Sequence, residues 1–351
     1  MNSATLILSN NQKFTGKIYN YTGEEIHGEV VFNTGMTGYE ETLTDPSYAG
    51  QILVFTYPLL GNYGVCQAKD WESSLIHAKA VICSSLIENK KHHAAQQSLL
   101  TWLTQQRIPL LTNIDTRELT KTLRDNGCLN GGITHLDHIH LPVKDTFNLV
   151  AQTSCKEVKY YGIGKYKLLL VDYGVKQNII RSLLNFDVQI KQVPHDYDYL
   201  HEEFDGLILS NGPGDPKDCV ESIAILQNAL NLHKPIFGIC LGSQLLALAV
   251  GANTYKLKFG HRGQNQPCQD LHDLRCYLTS QNHGYVICDQ SLPSDWEVSF
   301  QHLHDKSIAG IRHKNLPYSA VQFHPEAAAG PHDTAFLFAQ FIELVIQKAG
   351  K

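Results

Sequence analysis

The chain has 351 residues, 43% of them hydrophobic and 18% charged, which is enough for two ordinary globular domains with separate cores. A formal net charge of -5, with no block of like charge, gives no reason to expect nucleic acid as a partner. No window approaches the ~18 continuous apolar residues of a membrane span. Nine cysteines, with no C-x-x-C pair and no secretory leader ahead of them, read as reduced thiols of a cytoplasmic protein.

From Ala4 to about Val65, the β-prone runs Thr5–Leu8, Glu29–Phe32 and Gln51–Tyr57 alternate with glycine-bearing turns, which predicts a β-rich module. The stretch from Gln96 to Gln105 has a helical pattern, and Asp115-Thr-Arg-Glu118 has the form of a capping box opening a helix that stops at Gly127. The first domain, residues 1–160, is therefore expected to be mixed and rich in strand. Tyr160-Tyr-Gly-Ile-Gly-Lys-Tyr166 has two glycines and no apolar period, and the domain boundary is placed there, with a second domain over 167–351.

That second half alternates strands with helices: Leu168 to Val171, a helix from Lys176 to Leu184, Val188 to Val193, Gly206 to Leu209, a helix with Ile223, Leu226 and Leu230 on one face, and a strand at Ile236. Such alternation predicts an α/β domain built on an open, mostly parallel sheet, and continuous apolar strands predict helices on both faces. Phe338, Phe341, Ile342, Val345 and Ile346 form one stripe of a closing helix.

Phe237-Gly-Ile-Cys-Leu-Gly-Ser-Gln244 falls where a strand gives way to the helical pattern LLALAV. A buried cysteine is most often an inert small hydrophobe, but one flanked by Gly238 and Gly242 at a strand-to-helix reversal has the form of a nucleophile elbow, which would expose it. Free N–H groups at the start of the following helix favour an anion there, and such surroundings can depress a thiol pKa to ~3.5–7.5. A nucleophilic thiol needs a base and an orienting group. Ser319-Ala-Val-Gln-Phe-His-Pro-Glu326 offers both, since a β-prone run ends in His324 and Glu326 two residues apart. Eighteen histidines make any one of them weak evidence, and the groupings His92-His93 and His135/His138/His140 lack the partners of a recognisable zinc pattern. Asn211-Gly-Pro-Gly-Asp-Pro216 reads equally as a tight connection or as a loop facing the nucleophile.

Cys240 in GICLGSQ, His324 and Glu326 in QFHPE, and the Asn211 loop together resemble the class I (triad) glutamine amidotransferases. Three further segments, Asp172 to Asn178, Lys258 to Pro267 and Thr279 to Tyr285, resemble more narrowly the family of small, glutamine-hydrolysing chains of carbamoyl-phosphate synthases. In the first half Gly28 to Tyr39, Leu43 to Tyr48 and Asn113 to Leu119 look like the extra N-terminal domain of that family.

The resemblance implies a Cys240–His324–Glu326 triad. It also implies a glutamine site of Ser47, Gly212, Gly214, Leu241, Gln244, Asn282, Gly284 and Tyr285, with Ser47 supplied by the first domain and Tyr285 standing where the family usually has phenylalanine. The first domain would also dock a partner. That partner would be a large synthetase chain, paired with this one as a heterodimer or a higher oligomer of heterodimers. It would use ATP and magnesium to make carbamoyl phosphate for arginine and pyrimidine synthesis, so no metal and no organic cofactor is expected in this chain. Two rival readings are another glutaminase, such as the amidotransferase chain of anthranilate synthase, and a catalytically dead docking module; the N-terminal segments count against the first and the intact triad against the second.

Overall fold

A computed structural model describes residues 3–88, 92–141 and 148–350. It divides into two units, Met1–Phe147 with Lys258–Arg262, and Asn148–Leu257 with Gly263–Lys351. The division thus falls ahead of the expected boundary at 160–166. Lys159–Tyr161 is a strand paired antiparallel with Val188–Pro194, and a Cβ on Gly162 or Gly164 would lie 2.6 Å from the Val188 oxygen or 2.1 Å from its nitrogen. The stretch expected to hold the domain boundary is packed within the second unit, and its glycines are what allow the close approach. All nine cysteines are free thiols, and among the described residues no helix is long and apolar enough to cross a membrane.

The first unit is a closed barrel. Its strands are β1 (Ser3–Leu8), β2 (Lys13–Tyr19), β3 (Ile26–Asn33), β4 (Gln51–Phe55), β5 (Ala80–Ile82), β6 (Leu110–Thr112) and β7 (Leu129–Thr134), in the spatial order β1-β2-β6-β5-β4-β3-β7. Successive residues of a strand point to opposite faces, and two cores result. Leu6, Val30, Ile52, Val54, Ile82 and Ile133 share one. Val31, Leu53, Phe55, Val81 and Leu110 share the other with Leu99, Trp102 and Leu103 of α1 (Leu99–Gln105). Helix α2 (Thr116–Asn126) starts at Asp115, whose carboxylate accepts from the Glu118 N–H at 2.9 Å, and ends at Gly127 with φ 95°. The reciprocal half of the capping box is replaced, since the Glu118 carboxylate accepts from Lys121 at 2.8 Å.

The second unit carries a ten-stranded sheet. Its strands are β8 (Lys159–Tyr161), β9 (Tyr166–Asp172), β10 (Val188–Pro194), β11 (Gly206–Leu209), β12 (Ile236–Ile239), β13 (Thr254–Asp270), β14 (Cys276–Ile287), β15 (Trp296–His302), β16 (Ile308–His313) and β17 (Tyr318–Val321). The order is β8-β10-β9-β11-β12-β17-β16-β15-β13-β14. The run β10-β9-β11-β12-β17 is parallel throughout, while β8, β16 and β15 join antiparallel.

Helices cover both faces. Leu169 and Val171 of β9 pack with α4 (Val220–Ala229) and α5 (Leu241–Ala249). Leu168 and Leu170 pack with α3 (Gln177–Leu183) and α6 (Phe336–Ala349). In α6 the stripe Phe338, Phe341, Ile342 and Val345 is buried as expected, but Ile346 is 42% exposed and lies beyond its edge. Phe341 stacks on Phe237 of β12 with ring centroids 5.7 Å apart, and a Cβ on Gly206 would come within 2.9 Å of the Phe341 ring. Truncating so tightly packed a ring leaves a cavity that close neighbours cannot fill, so Phe341→Ala should cost the second unit about 3–5 kcal/mol. The check is a urea titration, in which the midpoint of this unit's transition falls while its slope is kept.

Candidate active site

Four loops at the carboxyl ends of the parallel strands β9, β11, β12 and β17 supply the chemistry-bearing groups, the position where open α/β sheets bind their ligands. The first is the elbow between β12 and α5. Cys240 there has φ 53° and ψ -105°, a conformation that costs an ordinary residue ~1–3 kcal/mol and persists only where surroundings hold it. Its N–H donates to the Val321 oxygen at 2.8 Å, and its own oxygen accepts from the Ser243 hydroxyl at 2.7 Å. The flanking glycines are required by contact. A Cβ on Gly238 would lie 2.8 Å from the Gly242 oxygen, and one on Gly242 would lie 2.2 Å from the Leu209 oxygen. The elbow does not expose the thiol, however, because Cys240 is only 2% accessible. Its Sγ lies 3.7 Å from the Asn282 oxygen of β14 and 3.6 Å from Nε2 of Gln322.

The second and third groups follow β17. His324 and Glu326 are both buried, and Nδ1 of His324 lies 2.6 Å from Oε1 of Glu326. Nε2 of His324 is buried without a hydrogen-bond partner of ordinary geometry, and the Cys240 thiol is a charge neighbour of the ring. The same carboxylate oxygen takes Lys176 Nζ at 3.1 Å. Burial alone would push Glu326 up, but the Lys176 ammonium and the imidazole together hold it down at about 2. Burial likewise presses the imidazole toward its neutral form, and Lys176 acts the same way. The Glu326 carboxylate overcomes both and raises His324 to about 10.

Lys176 arrives on the loop after β9, and that loop is built by one side chain. Asp172 Oδ1 accepts from the N–H groups of Gly174 and Val175, both at 2.8 Å, while Oδ2 accepts from Cys155 N–H at 2.9 Å and Gln192 Nε2 at 2.6 Å. The Lys176 N–H in turn donates to Asn211 Oδ1 at 3.0 Å, which couples this loop to the one after β11. Asn178 Nδ2 donates to the Glu326 oxygen, and Lys176 Nζ also donates to the Ala327 oxygen at 2.5 Å.

Of the expected glutamine-binding residues, Gly212, Gly214, Leu241, Gln244, Asn282, Gly284 and Tyr285 all belong to the second unit. A Cβ on Gly212 would lie 2.9 Å from Cδ2 of Leu241 and 2.3 Å from the Tyr173 oxygen, so the Asn211 loop and the elbow meet only because that residue is glycine. Gly214 has φ 90° and faces Leu149. Asn282, Gly284 and Tyr285 lie on β14. Gln244 donates from Nε2 to the Tyr285 oxygen at 2.8 Å and to Gln322 Oε1 at 3.0 Å, so only its carbonyl end is left for a ligand. Ser47 belongs to the first unit, in the turn Pro46–Tyr48, where its N–H donates to Asp45 at 2.9 Å. Of the histidines weighed as ligands, His92 and His93 lie ring to ring, tilted by 37° with centroids 4.3 Å apart, and His135 meets Tyr21 edge-on.

Sequence reasoning assigned no role to Lys176, Asn178 or Gln322. The signal for Lys176 was a lysine directly after the apolar Val175 in a segment already marked by resemblance; a charge in that position needs a buried partner. The pair of shifted groups sets a pH dependence. The Glu326 contribution to stability is complete above its ordinary value of 4.5 and lost as pH falls toward about 2. The His324 contribution is complete below 6.5 and lost as pH rises toward about 10. Both act together between those two ordinary values. Glu326→Gln removes the main group holding the imidazolium, so the His324 titration followed by NMR should move down from the alkaline range. An unmoved titration would contradict this electrostatic account.

Two families match the chain. "Carbamoyl-phosphate synthase small chain, CPSase domain" matches residues 6–133, and "Glutamine amidotransferase class-I" matches residues 169–344. The chain is 45% identical over 354 residues to the carbamoyl phosphate synthase arginine-specific small chain of Halalkalibacterium halodurans, with 98% of each chain covered. It is 44% identical to the multifunctional protein pyr1-3 of Dictyostelium discoideum and 46% identical to the multifunctional protein CAD of Squalus acanthias. In both cases 97% of this chain is covered, but it spans only 17% and 16% of those relatives. With the two domain families matched in this order, and a relative aligned over nearly the whole of both chains, the chain belongs to the family of carbamoyl-phosphate synthase small chains, with a class I glutamine amidotransferase domain as its second half.

Proposed function

We propose that this chain hydrolyses glutamine and passes the ammonia to a large synthetase chain, which combines it with bicarbonate at the expense of ATP to form carbamoyl phosphate for arginine and pyrimidine synthesis. The observation that carries the reading is a cysteine held at a strained elbow in one buried array with His324, Glu326 and Lys176. The names of the relatives support the synthetase assignment. The small share of the multifunctional relatives that is covered fits a glutaminase working beside other domains.

In the proposed reaction the proton of the Cys240 thiol already rests on Nε2 of His324, whose imidazolium the Glu326 carboxylate favours, and Sγ attacks the side-chain carbonyl of glutamine as the thiolate. Backbone N–H groups of Leu241 and Gly212 meet the oxyanion, each fixed donor of this kind being worth ~2.7–4 kcal/mol. The tetrahedral intermediate collapses with the imidazolium proton passing to the departing nitrogen, leaving ammonia and a cysteinyl thioester. His324 then takes a proton from water, hydroxide attacks the thioester, glutamate leaves, and the thiolate and the imidazolium are restored together. Glu326 keeps Nδ1 of the ring protonated and the ring oriented throughout. ATP and magnesium act in the partner, and none of these steps in this chain calls for a metal.

Cys240→Ser should abolish glutamine hydrolysis while the complex with the large chain still makes carbamoyl phosphate from added ammonia, because the hydroxyl lacks an easily formed anion. Near-normal glutamine-dependent synthesis by that variant would exclude Cys240 as the nucleophile. Ser47→Ala should weaken glutamine binding by the worth of one hydrogen bond, ~0.5–1.5 kcal/mol, with the fold intact. Steady-state kinetics read this as a raised KM, and an unchanged KM would remove Ser47 from the site.

A further inference from the structure

Gln322 is buried between β17 and His324, and a buried amide must have both ends bonded or lose free energy. Which end faces the sulfur is fixed by a carbonyl two links away. The Tyr285 oxygen can only accept, so Gln244 must turn its NH2 toward it, at 2.8 Å. The second hydrogen of the same NH2 meets Gln322 at 3.0 Å, and the atom there must therefore be the amide oxygen. That leaves the Gln322 NH2 directed at Cys240 Sγ, at 3.6 Å. The reversed orientation would set two NH2 groups against each other.

We infer that Gln322 is a further catalytic residue, donating an N–H to Cys240 Sγ so as to favour the thiolate, and that Gln244 is a positioning residue that holds that amide the right way round. The sulfur sits between opposed groups. The Asn282 oxygen, 3.7 Å away, is met by the neutral thiol as donor and offers nothing to an anion. The Gln322 amide does the opposite, because a hydrogen bond to sulfur strengthens when the sulfur is charged. As the S–H bond breaks and an N–H bond forms on His324, the Asn282 contact is lost and the Gln322 contact gains. The same donor would stabilise the sulfur as leaving group when the thioester is hydrolysed.

This inference deepens the proposed role of Cys240 and rests on it, but its test needs no glutamine. The 351-residue chain is alkylated with iodoacetamide across pH ~5 to ~10, and the Cys240-containing peptide is followed by mass spectrometry, which separates it from the other eight thiols. Gln322→Leu, which removes the donor, and Gln322→Glu, which replaces it with an acceptor of the same shape, should each slow alkylation about tenfold at neutral pH. Both should converge on the parent rate in alkali, where every form is thiolate. Gln244→Leu frees the Gln322 amide to turn and should give a smaller slowing with the same convergence, and it serves if the Gln322 variants do not fold. A pH profile that overlays the parent's, or one lowered equally at every pH, overturns the inference. If the profile shifts as expected in a chain that hydrolyses no glutamine, the amide's role stands and the proposed function fails.

Discussion

Glu326 is a carboxylate sealed inside the second unit, where an ion without compensation costs several kcal/mol. One of its oxygens takes both available cations, the His324 ring and the Lys176 ammonium. This pairing keeps the carboxylate ionised and the imidazole proton-binding, and it determines where the surrounding chain can run. Lys176 must reach inward from the loop after β9, and that loop must be tied to the neighbouring Asn211, which it is through the Lys176 N–H. Asn178 secures the Glu326 backbone from the same side. Three loops from separate strands are thus fastened to one buried charge.

The thiol is organised by a different constraint, steric rather than electrostatic. Positive φ at Cys240 turns the chain from strand to helix within one residue, and the turn fits only because Gly238 and Gly242 have no Cβ to meet the backbone of the elbow and of β11. The strain is held by hydrogen bonds on both sides of the peptide and by the apolar helix α5, which is buried along nearly its full length. A sulfur placed in this way lies between the Asn282 oxygen at 3.7 Å and the Gln322 amide at 3.6 Å. Rigid backbone around a strained residue is the usual arrangement of nucleophile elbows.

The two units differ in how local rules were satisfied. In the barrel, α2 begins at the expected Asp115 and ends at the expected Gly127, although half of the capping box gave way to the Glu118–Lys121 pair, which local spacing also favours. In the second unit the boundary stretch defeated a composition argument. Two glycines without apolar period read as a domain boundary, yet they are small because Val188 and Asp187 pass so close. Composition cannot separate a glycine that confers freedom from one that makes room.

The amino-acid sequence by itself determined the alternating strands and helices of the second half, the cysteine between glycines, and the two-residue spacing of His324 and Glu326 at a strand end. Each follows from neighbours in the chain, through periodicity, φ/ψ preference or the reach of adjacent side chains. Only the tertiary structure decided that Lys176 shares the Glu326 oxygen, that Cys240 is buried rather than exposed, and that Gln322 turns its NH2 to the sulfur because of the Tyr285 carbonyl. Those contacts join residues 41 to 150 positions apart. Their partners are chosen by which strands lie side by side in the sheet and by the need to pair every buried charge and amide, and neither condition leaves a mark in the local pattern.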